Sequence, residues 1–194
     1  MRLALGVCYS GTAYQGWQSQ ATGLTVQDKL EKALAQFGDV PRVSTLCAGR
    51  TDAGVHGLMQ VVHFDTHLER DTHSWVRGTN RYLPSDIAVQ WAQVVPETFH
   101  CRASATGRRY IYVVLDSIVR PSLEAGRVGW VTVRWPKHPC AKPASICWVS
   151  TIFRLSGPAA AKRCRPSKPC GTSASPGTAR IGALSSKATP FCTT

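Results

Sequence analysis

The chain is predicted to be an α+β protein, one antiparallel or mixed sheet with helices on one face, and three patterns predict it. Residues 3–9 alternate loosely and are rich in Leu, Val and Tyr, which suits a strand. From Thr25 the apolar residues recur at spacings of three and four, which suits a helix. Later runs extend the order to β-α-β-β-α-β-β, with strands and helices segregated as in α+β domains.

Each element has its own local reason. In the first helix Val26, Leu30, Ala33, Leu34 and Phe37 share a face, and Thr25 with Asp28 has the form of a weak capping box. Gly38 is its natural stop. Val43–Ala48 and Leu58–Phe64 read as strands on either side of a glycine-bracketed loop. Thr72–Arg81 reads as a second helix, and Pro84 lies just past its end. Ile87–Val95 and Arg109–Leu115 complete the strands, so that residues 1–131 form the organised domain.

That loop, Gly49-Arg50-Thr51-Asp52-Ala53-Gly54-Val55-His56-Gly57, carries the chemistry. Glycine on both sides permits a sharp turn and a close approach by a ligand. Arg50 is placed to hold Asp52 ionised, since a nearby opposite charge lowers a carboxylate pKa. An ionised aspartate at the mouth of a turn can serve as nucleophile or base. An Asx-turn with a surface ion pair is the competing reading. Arg102, Arg108 and Arg109 cluster around a Ser/Thr-rich turn and suit either phosphate contact or a solvated face. His56 is read as a loop residue near phosphates and His63 as a strand residue; their spacing and neighbours argue against a zinc site. Tyr14 and Trp17 are read as core residues before base-stacking ones.

The loop and its flanks, Cys47-Ala48 before it and Leu58 to Phe64 after it, resemble the catalytic motif of the TruA family of tRNA pseudouridine synthases. Tyr9 to Gln18, Val26 to Leu34, Leu83 to Val89 and Phe99 to Tyr112 resemble further segments of that family, in the same order. The resemblance implies an isomerase that breaks the N1–C1′ bond of uridine, rotates the base and rejoins it through C5. Its substrate would be tRNA, at positions 38–40 of the anticodon stem-loop. It also implies Asp52 as the catalytic aspartate, by attack on the ribose, attack on the base or removal of a ribose proton. Arg50 would pair with Asp52 or fill the gap left by the flipped nucleotide. Tyr110 would lie against the uracil. Arg50, His56, Arg102, Arg108 and Arg109 are the RNA-binding candidates. No metal and no redox cofactor is called for, and the family functions as a homodimer.

Composition changes abruptly along the chain. Residues 1–133 hold 13 Lys+Arg against 11 Asp+Glu, whereas residues 134–194 hold 10 Lys+Arg and no acid. The net charge of +12 therefore lies mostly outside the family-like part. Eight of the 12 prolines and five of the 8 cysteines also fall after residue 133. Such a segment is poorly suited to burying a core, and residues 132–194 are expected to be a disordered tail. A frameshift near Val131–Trp135 accounts for it. Codons for the family-like run Asn-Ala-Phe-Leu-His-His-Met can be chosen that, read one base later, encode Thr-Pro-Phe-Cys-Thr-Thr, the residues from Thr189 to Thr194. Codons for a second run, Leu-Leu-Gly-Glu-His-Asp-Phe, can likewise be chosen to yield Cys147 to Phe153. A basic arm that binds RNA non-specifically is the alternative. Neither a Cys-x-x-Cys knuckle nor an oxidising context supports zinc or disulfides at Cys140, Cys147, Cys164 and Cys170.

No apolar run reaches the roughly 18 residues of a membrane span, and the N-terminus lacks the pattern of a secretory signal. A soluble cytoplasmic protein is expected. The rivals to a synthase are a non-catalytic RNA-binding module with a basic arm and a hydrolase that would release free uracil. The 194-residue chain itself is expected to be inactive or severely impaired, because the family's second half does not appear in it.

Overall fold

A computed structural model describes residues 1–132 and, as backbone strands, Ser145–Arg154 and Thr189–Thr193. It divides into two compact units, one built on Met1–Arg108 and the other beginning at Arg109.

In the first unit β1 (Arg2–Tyr9) is the central strand, antiparallel to both β3 (His56–Asp65) and β4 (Ile87–Val95). A short β2 (Leu46–Cys47) adds to the far side of β3. Leu3, Leu5 and Val7 alternate along β1 and meet Val62 and Phe64 of β3 and Ile87 and Val89 of β4 in one core cluster. Helix α1 (Val26–Gly38) lays Val26, Leu30 and Leu34 into that cluster, and α2 (Thr72–Tyr82) contributes Trp75. Trp75 receives the edges of Phe37 and Phe64 at centroid distances of 5.1 and 5.4 Å, which ties both helices to the sheet. Tyr14 and Trp17 are core residues, as read from the sequence.

Both helix starts follow their local chemistry. Thr25 Oγ1 accepts from Asp28 N (3.2 Å), and the Asp71 carboxylate accepts from Ser74 N (3.3 Å). Helix α1 ends at Gly38 as expected, and the left-handed cap is the next residue: Asp39 has φ 52° and donates its N–H to Ala35 O. Aspartate tolerates this region better than most L residues.

The strand expected over Val43–Ala48 is reduced to its last part, Leu46–Cys47. Side chains of α1 use the backbone groups that pairing would need. Thr45 N donates to Glu31 Oε1 (2.8 Å), and Thr45 O accepts from Gln27 Nε2 (3.2 Å). The third strand begins at His56, two residues before the expected Leu58.

Strand β5 (Gly107–Asp116), which lies in the second unit from Arg109 on, runs parallel to β6 (Gly129–Val131) and also pairs with β7 (Ser145–Arg154). A further strand, β8, spans Thr189–Thr193, of which Cys192 and Thr193 belong to the first unit. Of the tail expected to be disordered over 132–194, these two stretches are strands, and the remainder lies outside the described residues. The tail cysteine readings also fall outside the described side chains. Among the described residues no helix is long and apolar enough to cross a membrane.

Truncating Leu30, fully buried between helix and sheet, to alanine is expected to cost about 3 kcal/mol, read as a lower urea midpoint at unchanged slope.

Candidate active site

The Asp52 loop joins β2 to β3 and is held chiefly through its backbone. Ala48 N donates to Val61 O (2.9 Å), and Arg108 Nη2 donates to Ala48 O (2.7 Å). Gln60 Nε2 donates to Gly49 O. Thr51 O accepts from Trp17 N (3.0 Å), and Gly54 N donates to Tyr14 O (3.3 Å). The segment after β1 therefore straps the loop from the other side. Gly16 makes that strap possible, with φ at +94° and an added Cβ only 2.7 Å from Thr51 O. Gly54 meets nothing within 4 Å, so its φ of +79° is the reason for glycine there.

Thr51 turns inward and is 8% exposed, with its hydroxyl 2.9 Å from Tyr9 Oη. Arg50 and Asp52 on either side of it are exposed. The Asp52 carbonyl accepts from Val55 N (3.2 Å), while its carboxylate meets no hydrogen-bond donor or cation among the described residues. The Arg50–Asp52 ion pair expected from the sequence is thus not formed. The ion pair among the described residues is Arg2–Asp65, at 2.8 Å. An exposed pair gains about 1 kcal/mol at most, too little to draw two solvated side chains together.

Arg50 instead borders a cleft of about 360 Å³ with Arg42, Arg102, His100 and Cys47. Glu31 also lines it, but its Oε1 already accepts from Gln27 Nε2 (2.8 Å), Thr45 N (2.8 Å) and Thr45 Oγ1 (3.0 Å). The three arginines give the cleft its electrostatic character. Burial pushes the Cys47 thiol up in pKa, and Arg102 and Arg50 oppose that shift. Burial, then Cys47, pushes Cys101 to about 11. Both remain thiols at neutral pH.

The other expected site residues divide. Arg102 is exposed at the cleft, and Arg108 is half-buried with a guanidinium nitrogen committed to the loop. Arg109 and Tyr110 belong to β5 in the second unit. His56 is not a loop residue: it opens β3 and is 5% exposed, because the strand starts earlier than its apolar pattern. His63 is a buried strand residue, as expected. Arg42 and His100 were not singled out by the sequence: no local motif marks Arg42, and His100 lies in the family-like segment Phe99 to Tyr112 without a role of its own. Among the described residues no three metal-ligating side chains gather.

Residues 7–102 match a family described as tRNA pseudouridine synthase. The chain is 76% identical over 131 residues to tRNA pseudouridine synthase A of Polaromonas sp. (strain JS666), covering 68% of this chain and 49% of that protein. It is 72% identical over 131 residues to the protein of that name from Polaromonas naphthalenivorans, again over 68% of this chain and 49% of the relative. Against that from Paracidovorax citrulli the identity is 74% over 131 residues, covering 68% and 47%. The chain spans about half the length of these curated relatives.

Removing the hydroxyl in Tyr9→Phe is expected to lower stability by about 1 kcal/mol and to speed amide exchange in the loop more than in α1. Gly16→Ala should do the same more strongly, because both its φ and Thr51 O oppose a side chain.

Proposed function

In its N-terminal part the chain belongs to the tRNA pseudouridine synthase family, and from that premise we propose that it derives from an enzyme converting uridine to pseudouridine in the anticodon stem-loop of tRNA, at positions 38–40. The observation that carries this reading is Asp52. Its carboxylate stands exposed on a turn that the rest of the unit holds by backbone hydrogen bonds, two residues from an arginine that borders a basic cleft.

In this reading Asp52 is the catalytic aspartate. Among the described residues Arg50 has no carboxylate partner to leave, so it is available to pair with Asp52 once RNA excludes water, or to occupy the place of the extruded nucleotide. Arg102 contacts phosphate, and Arg108 supports the loop from behind. Tyr110 lies against the uracil and takes part in the final proton transfer. The isomerisation exchanges one bond of uracil for another, with no net redox change, so side chains suffice. A homodimer and a cytoplasmic location go with the same reading.

We also propose that the 194-residue chain has little or no activity, and that its residues after about 131 are read out of frame. The match to the relatives covers 68% of the chain and then stops, where the acid-free, proline-rich composition begins. The basic cleft supports a second reading, a non-catalytic RNA-binding module, whose binding would be strongly salt-dependent and indifferent to Asp52→Ala.

Pseudouridine formation in a uridine-containing anticodon stem-loop separates these readings. The 194-residue chain should give none. A chain carrying the relatives' second half in frame should turn over and lose about a thousandfold or more in Asp52→Ala. Turnover by the 194-residue chain that vanishes in Asp52→Ala would overturn the inactivity. Sequencing gene and transcript across the codons for Val128 to His138 separates two cases: a missing or extra base there means that the encoded protein continues in the relatives' frame, and an unchanged sequence means that the gene itself is disrupted.

A further inference from the structure

Three consecutive backbone N–H groups in the turn that carries Arg102 end on imidazole nitrogens. Cys101 N donates to His63 Nδ1, and Arg102 N and Ala103 N both donate to His100 Nδ1, each at 3.3 Å. An imidazole nitrogen accepts only while it bears no proton, so this geometry requires both rings neutral, with the hydrogen on Nε2. The rest of the turn is anchored independently. Arg2 Nη1 donates to Phe99 O (2.8 Å), Ser104 N donates to His100 O (2.8 Å), and Cys101 Sγ donates to Leu46 O (3.2 Å).

The two rings sit edge to face, 5.1 Å apart, and His63 is 2% exposed. Facing His63 are Arg2 from β1, Asp65 on its own strand and His100. Burial, then Arg2 and His100, push its pKa down, and Asp65 opposes them. His100 borders the cleft together with Arg42, Arg50, Arg102 and the committed carboxylate of Glu31.

We propose that His63 and His100 are positioning residues: as neutral acceptors they hold the turn that keeps Arg102 at the cleft, and protonating them releases it. The result is opposite in sign to simple charge addition. Two extra cations beside a basic cleft would strengthen polyanion binding; a released turn weakens it. For His63 the linkage has the same direction. Its folded pKa lies below the unfolded value, so its contribution to stability is complete above about pH 6.5 and is lost as pH falls through the depressed value. The consequence for RNA rests on the function proposed above, whereas the clamp itself does not.

The test uses the full chain between about pH 7.5 and 5.5 at fixed ionic strength. Amide exchange at Cys101, Arg102 and Ala103 is corrected for intrinsic rates and measured beside the affinity for a uridine-containing anticodon stem-loop. Protection at the three amides should fall on acidification, and RNA affinity should drop about fivefold. His100→Asn offers a side-chain oxygen in place of Nδ1 but takes up no proton, so protection at Arg102 and Ala103 should be kept at neutral pH and fall less on acidification; because residue 100 borders the cleft, its RNA affinity is referred to the variant's own value at neutral pH. His100→Ala should be weak at both ends. Protection that does not change, an acid profile unaltered in His100→Asn, or affinity that rises steadily with acid would overturn the proposal. Loss of protection without RNA binding at any pH supports the clamp and counts against the RNA reading.

Discussion

The inward turn of Thr51 is the constraint on which the candidate site depends. Its hydroxyl meets Tyr9, its carbonyl takes the Trp17 N–H, and Gly16 leaves room for that approach. Tyr9 and Trp17 are themselves core residues, 5.6 Å apart ring to ring, so the loop inherits the stability of the sheet. Once Thr51 faces inward, its exposed neighbours Arg50 and Asp52 are free to meet solvent or a ligand. Backbone register thus sets the direction in which the chemistry faces.

Glu31 links the helix layer to the same region in a second way. One carboxylate oxygen gathers Gln27, the Thr45 amide and the Thr45 hydroxyl, which ends strand pairing before Leu46. It is also the acid in the lining of an arginine-rich cleft, and those three donors already occupy it. A polyanion entering there meets a carboxylate held in place by these donors beside three arginines of the same lining. One hydrogen-bond hub therefore both shortens a strand and fixes an acid in the cleft wall.

Much of this was legible in the sequence for reasons that are local. The spacing from Val26 to Phe37 and the Thr25–Asp28 pair gave α1, and the glycines around Asp52 marked a constrained turn. What was not legible depends on partners far apart in sequence. The shortened β2 requires Glu31, 14 residues from Thr45. The burial of His56 requires the ladder to begin before the apolar run does. The Cys101–His63 contact spans 38 residues, and no pattern around either residue announces it. The missing Arg50–Asp52 pair has another cause: adjacency along the chain says little about pairing when water competes for both charges.

The unpartnered carboxylate of Asp52 has a consequence for how such a chain can change over generations. Because no contact within the described residues relies on that side chain, its replacement leaves the scaffold's own selection for folding untouched. Under the role proposed for Asp52, chemistry and architecture are separable, so a lineage could lose the proposed reaction while its first domain keeps its shape. Sequence likeness around the loop then measures ancestry of the scaffold, and the fate of the reaction has to be read from turnover.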